Sequence, residues 1–147
     1  MANVLSLSTR EFDIYTAGFF DGKGSIVIVA RQTKEGRQYQ VVASLVSRSS
    51  EVLETLRSAY GGRIYRDAPD GNRARVYRLS YRSKDATTFL KMLLPFLTVK
   101  RRAAEIAIEF QGRIENGKKS HLSTGEIAAR EKLADELKRI NHRGRPK

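Results

Sequence analysis

Few architectures accept the string Thr16-Ala17-Gly18-Phe19-Phe20-Asp21-Gly22-Lys23-Gly24-Ser25. Ala17 and Gly18 remove side-chain bulk from the middle of an otherwise apolar helical stretch. A mid-helix glycine costs about 1 kcal/mol relative to alanine, so a compensating contact is expected. Close approach of two helix backbones supplies one; a neighbour within the same chain supplies another. Gly22 and Gly24 then bracket Lys23, which predicts a sharp turn or a close approach to a phosphate. An Ile- and Val-rich strand over 25–31 leads away.

The flanking sequence builds a pattern around that string. Ser8 and Glu11 form a capping box that opens the first helix. A turn at 34–37 and a return strand over 39–47 complete a hairpin. Ser49 or Ser50 caps a second helix carrying Val52, Leu53, Leu56 and Tyr60, which ends at Gly61-Gly62. Strands over 63–67 and 73–81, joined by a tight turn at 69–72, repeat the hairpin. A third helix starts at 83–85 and is interrupted near Pro95. Helices over 100–115 and from Ser123 or Thr124 through Ile140 follow. The order α-β-β-α-β-β-α-α-α predicts an α+β fold, with helices on one face of a four-stranded antiparallel sheet. Residues 1–141 read as a single domain and 142–147 as a basic tail.

Charge bounds the partner. The 147 residues carry 28 Lys and Arg against 16 Asp and Glu, a formal net charge of +12. A polyanion is the natural partner, and nucleic acid the first candidate. The chain has no cysteine, which removes disulfides, thiolate metal sites and a cysteine nucleophile. Residues 1–10 lack a signal-peptide pattern, and no apolar run is long enough to span a bilayer. An intracellular protein with no membrane partner is expected, its compartment open.

The string from Ala17 to Ser25, opening an α-β-β unit in so basic a chain, resembles the signature of the LAGLIDADG homing endonucleases. The resemblance covers roughly 11–111. Ser47-Arg48-Ser49-Ser50-Glu51-Val52-Leu53-Glu54 resembles the family's strand-to-helix junction. Leu94-Pro95-Phe96-Leu97-Thr98-Val99-Lys100 resembles the segment that delivers a lysine near the active site. The motif occurs once, which implies a homodimer pairing its signature helices through Ile14, Ala17 and Gly18. The resemblance further implies an intron-type enzyme. Its strands form a saddle in the major groove of double-stranded DNA, at a long pseudo-palindromic site. Cleavage in the family is phosphodiester hydrolysis assisted by Mg²⁺ or another divalent cation. An acidic residue at the foot of each signature helix, with a backbone carbonyl, binds that metal.

By alignment the acidic position is Lys23, the carbonyl is that of Gly22 and the assisting lysine is Lys100. An ammonium group offers donors only, so Lys23 is no Mg²⁺ ligand. It can pair with the scissile phosphate in the metal's place, and the chain is expected to bind its target and cleave it poorly or not at all. Asp21 is the alternative metal recruiter, against a role in stabilising the helix end. In the family's register, Val29, Arg31, Gln38, Gln40, Val42 and Ser44 face DNA from the first hairpin. Arg66, Arg73, Arg75 and Arg78 are the candidates in the second. Arg31, Gln40 and Arg78 are expected to read bases; Arg82 and Lys100 are expected to contact phosphate. Tyr39, Tyr65, Tyr77 and Tyr81 are candidates for stacking on bases, with core-edge packing the stronger expectation, and His121 and His142 read as solvated. Lys23 also raises two alternatives, an RNA-binding intron maturase and a non-cleaving DNA-binding regulator.

Overall fold

In the computed structural model, residues 7–67, 75–117 and 122–143 are described. The expected turn at 69–72, Arg73, Lys118, Lys119, His121 and the end of the basic tail lie outside them. The elements run α1 (Thr9–Lys23), β1 (Gly24–Thr33), β2 (Gly36–Ser47), α2 (Ser50–Tyr60), β3 (Arg63–Asp67) and β4 (Val76–Arg82). Then come α3 (Ser83–Leu93), a 3₁₀ turn (Leu94–Phe96), α4 (Arg101–Asn116) and α5 (Thr124–Arg143). The fold is α+β, as the pattern predicts.

The sheet order is β1-β2-β4-β3, with every neighbour antiparallel. The second strands of the two hairpins, β2 and β4, pair at the centre. Ile26, Val41, Ala43, Leu45, Leu79 and Tyr81 point to one face and are buried. They pack with Phe20, Leu53, Leu56, Phe89, Leu90, Leu93, Ala104, Ile106 and Phe110 from the helices. Helix α5 packs on α4 and along the free edge of β1, where Asn141 Nδ2 donates to the Ile26 carbonyl at 2.9 Å. This contact caps a backbone group that an edge strand otherwise leaves unpaired.

Helix α1 starts as its sequence dictates. Ser8 Oγ accepts from the Glu11 N–H, and Glu11 accepts from the Ser8 N–H. Hydrogen bonding from Ser8, its hydroxyl first and its backbone N–H second, holds the Glu11 carboxyl below its ordinary pKa. The other end differs from expectation. No turn separates α1 from β1: the helix runs to Lys23 and the strand begins at Gly24. Neither Gly22 nor Gly24 has positive φ; Gly24 sits at φ −84°. Gly24 is instead required for space, because a Cβ there would lie 2.5 Å from the Phe20 ring. Phe20 is fully buried and packs edge-on against Phe89, so it has nowhere to go. Around Gly22 a Cβ would meet nothing within 4 Å.

Asp21 ties the end of α1 to the start of α4. Its carboxylate accepts from the backbone N–H of Thr98 at 2.9 Å and of Lys100 at 2.9 Å. Lys100 is the N-cap residue of α4 and makes no side-chain capping bond of its own. Asp21 therefore satisfies the N–H of the N-cap residue, which has no side-chain cap of its own, and that of Thr98 in the turn before it.

Two stability predictions follow from this junction. Gly24→Ala should lower unfolding free energy by about 1–3 kcal/mol through overpacking, whereas Gly22→Ala should leave it unchanged or slightly raised. Asp21→Asn, which removes the charge behind two backbone hydrogen bonds, should cost about 1–3 kcal/mol. Urea unfolding of the three variants checks both.

Candidate nucleic-acid interface

The second face of the sheet carries no helix among the described residues. Strand register fixes what it displays. The cross-strand pair Arg31 and Gln38 lies towards the tip of the β1–β2 hairpin, then Val29 opposite Gln40. Val27, Val42 and Arg82 make the next row, and Ser25, Ser44, Ser80 and Arg63 the row after it. Beyond them stand Val46, Arg78 and Tyr65, then Val76 with Asp67. Four arginines thus flank a central row of serines.

Those serines form a polar floor. Ser44 and Ser80 are 5% and 6% exposed, closed in by their longer neighbours. Ser25 and Ser44 share a hydrogen bond at 3.0 Å, and Arg78 Nη1 reaches Ser44 Oγ at 3.5 Å. Gln40 Nε2 donates to Ser83 Oγ at 3.4 Å. Ser83 has φ 53°, a conformation that costs a non-glycine residue free energy. Val27 and Val29 remain 37% and 46% exposed, apolar groups offered to the outside of a highly basic surface.

Most residues expected to face DNA share this surface: Val29, Arg31, Gln38, Gln40, Val42, Ser44, Arg78 and Arg82. Two do not. Arg66 pairs with Tyr77, whose ring packs on the core, so strand alternation puts Arg66 on the helix side. Arg75 precedes β4 and belongs to no strand, because β4 starts at Val76 rather than at 73. The register also brings in Arg63, Asp67 and Ser80, for which no role is expected above, and Tyr65, expected at the core edge. The signal was present: Ile64 is the apolar residue of β3, and alternation about it sends Arg63 and Tyr65 to the other face. Tyr39 packs edge-on against Phe110, and Tyr81 stacks on Phe89 at 4.1 Å. Tyr77 also packs on the core. Tyr65 is different, with the Arg63 guanidinium 5.5 Å from its ring centroid.

The helical end of the site holds Gly22, Lys23 and Lys100. Gly22 and Lys23 are exposed, and Asp21 holds the backbone of Lys100 beside the same helix end. Lys23 occupies the last turn of α1, where a cation meets the partial negative charge of the helix C-terminus. Further up α1, Ile14 is 45% exposed and Gly18 is exposed, with nothing within 4 Å of a Cβ. No neighbour in the chain therefore requires glycine at 18. Ala17 is fully buried in the chain's own core, so it cannot form part of a helix-pairing surface. His142 is exposed, as expected.

The donor set does not suit a divalent cation. Lys23 has no lone pair to give when charged. Both Asp21 oxygens already accept backbone hydrogen bonds. Among the described residues no three His, Cys, Asp or Glu side chains cluster to hold a metal ion.

No protein-family model and no curated protein matches the sequence. Solved structures do match. The archaeal intron-encoded homing endonuclease I-Vdi141I, complexed with DNA, aligns at a TM-score of 0.75 and 26% identity, over 95% of this chain and 90% of that one. The homing endonuclease I-CvuI, in complex with its target in the presence of 2 mM Ca, aligns at 0.73 and 19% identity, over 90% and 83%. The LAGLIDADG homing endonuclease I-SmaMI, bound to cleaved DNA, aligns at 0.67 and 20% identity, over 85% of this chain and 43% of that one. With a four-stranded antiparallel sheet, a helix that runs straight into its edge strand β1 and 147 residues, the chain has the fold of the LAGLIDADG homing endonucleases at the size of their single-motif type.

Proposed function

We propose that this chain binds double-stranded DNA as a homodimer at a long pseudo-palindromic site, and holds the central phosphates without hydrolysing them efficiently. The observation that carries the reading is Lys23, an ammonium at the foot of a signature helix on an otherwise DNA-suited scaffold. Each copy lays its outer sheet face in the major groove of one half-site. Arg31, Arg78 and Gln40 read base edges, since arginine matches guanine and glutamine matches adenine. Val29 and Val42 meet thymine methyls, and Arg82 and Lys100 neutralise phosphates. Similar structures complexed with DNA support the partner. The exposed Ile14 and Gly18 support pairing of α1 with α1 across a two-fold axis. The net charge of +12 doubles in the dimer, so binding weakens steeply with salt.

A divalent ion at this place would activate water and neutralise charge on the leaving oxygen. The groups present supply something else. Lys23 donates hydrogen bonds to a phosphate oxygen and neutralises ground-state charge. It brings no activated water. Tight binding of the intact phosphate gives no rate advantage, because only interactions that strengthen in the transition state accelerate a reaction.

Selection of a randomised duplex library with Mg²⁺ tests this directly. The chain should enrich one pseudo-palindromic sequence and leave it intact, while Lys23→Glu should cut that sequence. If Lys23→Glu binds the same duplex and never cuts it, the scaffold is a DNA-binding regulator instead. If neither protein binds any duplex but both hold structured intron RNA, the maturase reading replaces this one. A second prediction concerns stability. An acid in the last helical turn is unfavourable by about 0.3–1 kcal/mol, so Lys23→Glu should melt lower without metal. Mg²⁺ should then raise the variant's Tm and leave that of the chain unchanged, read by calorimetry.

A further inference from the structure

Asp67 is anomalous. It is the one acidic side chain on the outer sheet face among the described residues, on a surface whose other side chains are neutral or cationic. A carboxylate there repels a polyanion, so direct phosphate contact does not explain it. Its neighbour does. Asp67 Oδ2 lies 3.8 Å from Arg78 Nη2, a diagonal cross-strand pair between β3 and β4. On the opposite side Arg78 Nη1 reaches Ser44 Oγ at 3.5 Å, and Ser44 is itself held by Ser25. The guanidinium thus has a polar partner on each of two sides, both at the outer limit of contact distance, while its side chain stays 43% exposed.

We propose that Asp67 is a positioning residue for Arg78, and that the two act as one unit that reads a single guanine in each half-site. This rests on the DNA-binding reading above. An unrestrained arginine on a basic surface pairs equally well with any nearby phosphate, which gives affinity without sequence information. A guanidinium held in place presents its two parallel N–H groups towards the O6 and N7 of guanine in a fixed attitude. Asp67 therefore lowers general affinity and raises discrimination. Tyr65, opposite Arg78 on β3, walls the same position.

The test is a double-mutant cycle with Arg78→Ala, Asp67→Asn and the pair, each as the full chain, read by competition binding against all four base pairs at every position. Arg78→Ala identifies the base pair concerned by losing about ten-fold discrimination there. Asp67→Asn should lose most of that discrimination at the same base pair while binding non-specific duplex more tightly. The double variant should be no worse at that position than Arg78→Ala alone. Both residues are about half exposed, so melting should be unaffected. Additive losses at two different base pairs would mean that Asp67 reads a base itself, and would overturn the proposal. So would tighter binding to every sequence with discrimination intact, since Asp67 would then be only a repulsive charge. If the unmodified chain binds no duplex, the DNA reading falls and this inference with it.

Discussion

The carboxylate of Asp21 carries the geometry of the candidate site. It spans from position 21 to the backbone N–H groups of Thr98 and Lys100, each at 2.9 Å. One end of that bridge is the helix that carries Lys23. The other is the start of α4, which packs on the core through Ala104, Ile106, Ala107 and Phe110. Without it the backbone N–H groups of Thr98 and Lys100 would lose their acceptor, and Lys23 and Lys100 would be free to separate. A metal-recruiting role competes with this one. Two lone pairs are already committed, and releasing them exposes a helix start. The bridge is therefore the physical reason to treat Asp21 as structural.

Position 23 shows a conflict between stability and chemistry. The last turn of α1 favours a cation, because the carbonyl ends of the helix carry partial negative charge. A metal-binding acid there stands against the dipole until an ion arrives, the kind of strain that functional sites retain at the expense of stability. Under the proposed reading, Lys23 relieves that strain and forfeits the ligand. The fold survives intact, since the core depends on Phe20, Phe89 and their neighbours rather than on position 23. Shared architecture therefore says nothing about whether the chemistry persists.

Local signals in the sequence were strong. The Ser8–Glu11 capping box, the bounds of β3 and the interruption at Pro95 all form as patterning predicts. What escaped depends on distant partners. Arg66, a candidate for the outer face, turns to the helix side because register comes from pairing with β4, and a slip of one residue exchanges faces. Ala17 reads like a helix-contact residue until the core is seen to cover it. Gly24 reads like a turn residue, but its constraint is the Phe20 ring. Nothing in composition pairs Asp67 with Arg78, or Asp21 with a loop 77 residues away. The surface that would meet DNA was legible in its first hairpin and only partly in its second, where β4 begins later than the arginine-rich run suggests.

On the proposed reading, the sheet grips DNA without a metal. Hydroxyl-radical footprinting of the selected duplex, in EDTA and again in Mg²⁺, tests it most directly. One symmetric footprint covering both half-sites and their central phosphates, identical in the two buffers, is expected. Protection that appears only with Mg²⁺ would contradict it, because binding would then run through a metal that Lys23 cannot hold.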